Sequence, residues 1–235
     1  RFNPEKAKWY NKEYLRMKSD DELTDLFIPV LEEHGINVVD CPKCALTAGA
    51  QFAGKGVNFK NHILTKEYVH EVVAFVKERA SFVKDIWLNA SCLFVSPVEY
   101  EQFGIMSGAA AEAAKPSDPR RAADPRAKVF DDSLTAPFLA KDADKFWKPE
   151  GYQPAYQVTE HVCGFDGAFT KENIEPCLED FIREQGWPMG KVMNCIRLAI
   201  TGAASGLGIA DILSFIGKEE FRARMDYAGE RLGKE

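Results

Sequence analysis

Apolar residues recur at helical spacing along most of the chain. Residues 4–18 predict a first helix, with Asn3 placed to cap it and Pro4 suited to its first position. Ser19-Asp20-Asp21-Glu22 fits a capping box. Leu23, Leu26, Phe27 and Val30 then follow on one face, Pro29 is placed to bend the helix, and Gly35 stops it. Residues 36–64 show no period. Thr65 caps the strongest pattern, "TKEYVHEVVAFVKERASFVKDIWLNA". There Val69, Val72, Val73, Val76, Ala80, Val83 and Trp87 form one stripe, and Lys77, Arg79 and Lys84 lie off it.

Residues 107–128 hold three prolines, alanines and charge, which predicts a long exposed loop or a short helix with a mobile tail. Residues 129–168 carry aromatics without a clear period. From Thr170 the order returns. "TKENIEPCLEDFIREQG" places Ile174, Leu178, Phe181 and Ile182 on one face and ends at Gly186. "MGKVMNCIRLAITG" predicts another helix, and "IADILSFIG" and "KEEFRARMDYAGERLG" two more. No succession of strands and no repeat is visible, so the expected class is all-α, a helical bundle.

Composition changes this picture little. Of 235 residues, 46% are hydrophobic and 28% charged, which suits a globular protein. No apolar run approaches the roughly 18 residues of a membrane span, so no membrane partner is expected. Six cysteines scattered in helical segments read as reduced thiols. A net charge of -6 gives no global basic footprint for nucleic acid, although one local basic face would suffice. The chain opens "RFNPEKAKWY", without Met and already in a helical pattern, so a fragment of something longer is expected.

Several motifs invite chemistry. Thr201-Gly202-Ala203-Ala204-Ser205-Gly206-Leu207-Gly208 looks like a dinucleotide-binding turn, but that motif needs a preceding strand and βαβ units after it. Only 27 residues follow Gly208. Tyr14 and Lys18 have a dehydrogenase-like spacing on the wrong side of the motif. The glycines are therefore expected to form a helix-to-helix turn with positive φ. Cys41-Pro42-Lys43-Cys44 is half of a zinc site, with His34, His62 and His70 as unorthodox completing ligands; the expectation is ordinary thiols and no metal. His161 and Cys163 lack a third partner, and no catalytic residue is assigned.

The order of the segments carries a resemblance. "FNPEKAKWYNKEYLRMKSDDELTDLFIPVLEEHGI", "YVHEVVAFVKERASFVKDIW" and "GWPMGKVMNCIRLAITGAASGLGIADILSFIGKEEFRARM" resemble, in order, the C-terminal region of bacterial glutamyl-tRNA synthetases. The resemblance implies two packed helical anticodon-binding subdomains. Residues 1–18 would end the stem-contact region, 19–98 form the first subdomain, and 99–235 the second, with a long insertion at about 100–165. It implies tRNA-Glu as partner, no DNA, and a cytoplasmic setting. Glutamate, ATP and Mg would serve only the missing catalytic half, so the fragment itself needs no cofactor and is non-catalytic. The resemblance implies that Arg79 reads the last anticodon base and that Arg197, Met189, Gly206 and Ile209 lie near the anticodon. It leaves in doubt a contact at Glu179, where relatives are often basic. An internal capping or salt-bridge role remains open for Arg197, and a solvated helix face for Arg79. The rival readings are the C-terminal region of a class I lysyl-tRNA synthetase and a helical interaction module without RNA binding.

Overall fold

The structure is a computed structural model that describes residues 4–40, 56–99 and 140–233. It divides into two compact units, residues 1–95 and 96–235. Both are built mainly of helices, in keeping with the expected class.

In the first unit, α1 (Pro4–Met17) and α2 (Asp20–Glu33) begin where the capping signals put them. The Ser19 hydroxyl accepts from the Glu22 N–H at 3.1 Å, and the Glu22 carboxylate accepts from the Ser19 N–H at 3.3 Å. Gly35, at φ +77°, follows the end of α2. Pro29 sits inside α2 without ending it. The expected Asn3 cap lies outside the described residues.

The first correction falls in residues 36–64. Among its described residues are three short strands, β1 (Asn37–Val39), β2 (Val57–Asn58) and β3 (Ile63–Thr65), in the order β1-β3-β2. β1 runs parallel to β3, with Val38 opposite Leu64, and β2 runs antiparallel to it. Strands of two or three residues are too short to display a two-residue period.

The second correction is that the strongest pattern is not one helix. α3 (Lys66–Val76), capped by Thr65 Oγ1 accepting from the Tyr68 N–H at 3.1 Å, passes through a 3-10 turn (Lys77–Arg79). The chain then extends through Ala80 to Phe82, and α4 (Val83–Phe94) begins. Of the expected stripe, Val69, Val72, Val73, Val76, Ala80 and Trp87 are buried with Leu23, Phe27 and Leu31 of α2, whereas Val83 at the start of α4 is only half-buried and Ile86, outside the expected stripe, is buried in addition. The buried Tyr68 hydroxyl donates to the Leu93 carbonyl at 2.6 Å, fastening α3 to the end of α4.

The second unit contains α5 (Ala140–Phe146), α6 (Pro149–Cys163), α7 (Lys171–Glu184), α8 (Met189–Thr201) and α9 (Ile209–Leu232). α5 and α6 occupy a stretch with no readable period. α7 is followed by Gly186 at φ +69°, as its pattern predicts. α9 is interrupted at Gly217, φ +83°, and so consists of the two helical pieces expected from sequence. Val158, Val162, Ile174, Leu178, Ile182, Val192, Ile196, Ile200, Ile212, Leu213, Phe221 and Met225 fill the core. Each such burial contributes roughly 1.5–3 kcal/mol before chain entropy is counted. At Gly151 a side chain has no room, because a Cβ there would lie 2.7 Å from Cys195 Sγ.

Candidate nucleic-acid interface

Each unit contains two helices joined through a tight connection, and of the residues expected to meet RNA all but Met189 fall on these connections or beside them. In the first unit the α3–α4 joint is tied down from several directions. Lys77 Nζ donates to the Lys18 carbonyl and, at 3.0 Å, to the Asp20 carboxylate. Asn11 of α1 donates to the Ser81 carbonyl. The Asp85 carboxylate accepts from the backbone N–H groups of Ser81 at 2.9 Å and Phe82 at 3.0 Å. Two orphan donors at the start of α4 are thereby satisfied.

Arg79 ends the 3-10 turn and is exposed, with its own carbonyl accepting weakly from Asn89 at 3.4 Å. Its neighbour Glu78 is engaged by Arg16 at 2.6 Å. Lys84 is exposed as well, and Phe82 stands 49% exposed between the two cations. Sequence reasoning missed Phe82, because a phenylalanine inside a helical stripe reads as core.

In the second unit the glycine-rich connection is a helix-to-helix turn. Gly202 closes α8 at φ +77° and Gly206 takes φ +140°. Gly208, expected at positive φ with them, is instead at φ -61° and caps α9. A Cβ there would run into the Asp211 carboxylate, which Lys171 holds at 2.8 Å. The turn is held from inside. Arg197 is half-buried and its guanidinium donates to the Leu207 carbonyl. Thr201 Oγ1 donates to the Ala203 carbonyl at 2.9 Å, and Asp142 of α5 accepts from the Ala204 N–H at 2.9 Å. Asp142 was also missed, since it lies where no period was legible.

Arg197, Gly206 and Ile209 are thus brought together around one turn, but in different roles. Ser205 and Gly206 are exposed, and a Cβ at Gly206 would meet open space. Ile209 is only 3% exposed and packs inward. Met189 is half-buried at the opposite end of α8 from the turn, about 12 Å along the helix from Arg197. Glu179 is half-buried and pairs with Arg183 on its own helix, at 3.8 Å.

The other sequence candidates settle into ordinary structural positions. Lys18 Nζ lies 5.0 Å from the Tyr14 ring centroid, a cation–π pair. His34 stacks on Trp87 at 4.2 Å, His70 faces Asp21 at 3.3 Å, and His161 stacks on Phe181 at 4.0 Å. Cys41 and Cys44 lie outside the described residues. Burial pushes the Cys163 and Cys177 thiols up, and Cys195 up to about 11, so all three stay protonated near neutrality and make poor nucleophiles. Among the described residues, no helix is long and apolar enough to cross a membrane.

Arg79 is thus displayed on one joint, and Ser205 and Gly206 on the other. Residues 123–229 match the family model described as anticodon binding domain. Along almost its whole length the chain is similar to glutamate–tRNA ligases. That of Bacteroides fragilis is 29% identical over 232 residues, 99% of this chain and 33% of the relative. That of Flavobacterium psychrophilum is 28% identical over 228 residues, 97% of this chain and 32% of the relative. The crystal structure of a glutamate tRNA ligase from Elizabethkingia meningosepticum superposes with a TM-score of 0.65 at 26% identity, covering 99% of this chain and 33% of that one. The chain therefore spans about a third of the length of the relatives it matches.

Proposed function

We propose that the chain is the tRNA-binding part of a glutamate–tRNA ligase, a class I aminoacyl-tRNA synthetase. It recognises the anticodon arm of tRNA-Glu for ATP-dependent glutamylation in the cytoplasm. Glutamate, ATP and Mg are handled by the two thirds of such an enzyme that this chain does not span. The observation that carries the reading is the anticodon-binding match over residues 123–229 within a similarity to glutamate–tRNA ligases that runs the length of the chain. A class I lysyl-tRNA synthetase and an RNA-free interaction module are not favoured by those relatives.

Within this reading Arg79 recognises the last anticodon base. Its planar guanidinium can donate to both acceptors on the Watson–Crick edge of cytosine, which a phosphate contact does not discriminate. Arg197 acts at one remove, holding the 202–208 turn in shape. The small exposed residues there let an RNA backbone come close, while Ile209 supports the turn from beneath. Met189 belongs to a separate contact at the start of α8.

The test is binding of tRNA-Glu and of a transcript with its last anticodon base replaced, across a range of salt concentrations. Wild type should bind both in a salt-sensitive manner and prefer tRNA-Glu. Arg79→Ala should erase the preference by weakening the cognate more, at a cost on the order of 1–3 kcal/mol by analogy with bidentate base contacts in DNA. Equal losses on both RNAs would reduce Arg79 to a phosphate contact. No salt-sensitive binding by wild type would sink the whole reading. The chain alone should also catalyse no glutamate-dependent pyrophosphate exchange.

A further inference from the structure

We propose that Phe82 is the stacking platform for the base whose edge Arg79 reads, so that the α3–α4 joint grips one unpaired base by face and edge together. The inference rests on the tRNA-binding reading above and adds to it a residue and a mode of contact.

Phe82 is 49% exposed although its surroundings are rich in apolar partners: Val76, Ala80, Ile86 and Trp87, on either side of it in sequence, are all buried. The ring stands outside because its backbone is fixed outside. Phe82 occupies the cap position of α4 in an extended conformation, φ -133° and ψ 156°. The Asp85 carboxylate holds its N–H and that of Ser81, while Asn11 holds the Ser81 carbonyl. A joint anchored this way presents its ring with little backbone freedom left to lose on binding.

The charges around the ring suit RNA. Arg79 lies three residues earlier, so its Cα is at most about 10 Å from that of Phe82. A base stacked on the phenyl face then lies within reach of the guanidinium. Lys84, exposed two residues later, is placed for a flanking phosphate. The two nearest carboxylates are occupied, Glu78 by Arg16 and Asp85 by backbone donors. One exposed ring is flanked in sequence by two exposed cations, and Leu88 of the same helix is exposed too, at 53%. The ring with its two cations matches how unpaired bases are held, with an aromatic face for stacking and cations for the backbone.

The experiment uses the 235-residue chain with Phe82→Leu and Phe82→Trp, and a tRNA-Glu transcript carrying pyrrolo-cytosine at the last anticodon position. Stacking quenches that fluorophore. Wild type and Phe82→Trp should quench it and bind comparably. Phe82→Leu should lose the quenching and bind about 5- to 100-fold more weakly, the range set by single base–aromatic stacks. Its salt slope should stay that of wild type, because leucine and phenylalanine carry no charge. The position is exposed, so both variants should melt like wild type. If Phe82→Leu binds and quenches like wild type while Arg79→Ala weakens binding, the stacking role is overturned and the tRNA reading stands. Failure of Phe82→Trp to retain quenching also overturns it. If wild type binds no tRNA, both readings fall together.

Discussion

The two helix joints solve similar geometric problems with opposite uses of arginine. At the α3–α4 joint the backbone is tied by Asn11, Asp85 and Lys77, and the side chains of Arg79 and Phe82 are left outside. At the α8–α9 joint the arginine itself does part of the tying. Arg197 reaches in to the Leu207 carbonyl, and the surface presented is that of Ser205 and Gly206. Under the proposed reading the first joint would discriminate a base through a guanidinium and a ring, and the second would discriminate shape, by how closely a backbone approaches. Ion pairs occur in both units: among the described residues Arg16, Lys66 and Lys77 pair with carboxylates in the first, and Lys171, Lys191, Arg183, Arg222 and Arg224 in the second.

The sharpest test of an inward-facing second unit is its most deeply buried cation. The Arg224 side chain is fully buried, donates to Glu220 at 2.7 Å, and donates to the Ile200 carbonyl at the end of α8. Glu220→Ala removes the compensating charge and should cost about 3–5 kcal/mol, read by urea unfolding. A cost below about 1 kcal/mol would mean the charge is hydrated and the contrast between the units is overstated.

Next in size is the exchange of roles between the two arginines. Arg197→Ala removes a charged donor from the turn and should cost about 2 kcal/mol of stability, with RNA affinity falling as a consequence of the loosened turn. Arg79→Ala should leave the unfolding midpoint unchanged and lower affinity directly. Unfolding and binding measured on both variants decide it; an Arg197→Ala protein that is as stable as wild type but binds RNA poorly would place Arg197 at the interface after all.

How much of this was legible beforehand depended on whether local chemistry or packing decided each element. Ser19, Thr65, Gly35, Gly186 and Gly202 announced helix ends because capping and left-handed backbone are local requirements. The break after Val76 was hidden. In sequence the apolar positions run across it at helical spacing, and the signal that did exist, Asp85 in the first turn of α4, serves a phenylalanine rather than a hydroxyl residue. α6 was hidden because residues 129–168 show no clear apolar period. Yet Pro149 suits a first position, and Gly151 is demanded by the close approach of Cys195. The outward position of Arg79 followed from the stripe. The inward reach of Arg197 did not, because it depends on where a turn nine or ten residues later places a carbonyl.

The second unit should also be the more sensitive to alkali. Cys195 donates to the Phe146 carbonyl at 2.8 Å, and burial raises its thiol from 9.0 to about 11. The folded state thus holds this proton more tightly than the unfolded state. The associated stability is complete below pH 9 and is lost as pH rises to about 11. Cys195→Ser keeps the donor and does not titrate, so it should flatten the stability profile over that window by on the order of 1–2 kcal/mol. Tyr156, raised from 10.0 to about 12 by burial and then by Asp226 and Glu230, adds its own loss from pH 10 upward in wild type and variant alike, so the difference between the two profiles reports Cys195. Identical profiles for wild type and variant would show the thiol to be hydrated.

The smallest effect concerns how the helices begin, and here the units differ again. α2 and α3 start on hydroxyls that accept from the helix, Ser19 and Thr65. In the second unit α6, α7, α8 and α9 start at Lys148, Thr170, Pro188 and Gly208 without a side-chain cap. Thr170 is the informative control, because it is the right residue type in the right place but makes no cap bond. Ser19→Ala deletes one half of a reciprocal pair and should cost about 1 kcal/mol. Thr170→Ala should change stability by less than about 0.5 kcal/mol, since α7 is held by Ile174, Leu178 and Ile182 in the core. Urea unfolding of the two variants beside wild type measures both. Equal costs would mean that Thr170 caps α7 in solution, and that the second unit relies on local capping as the first does.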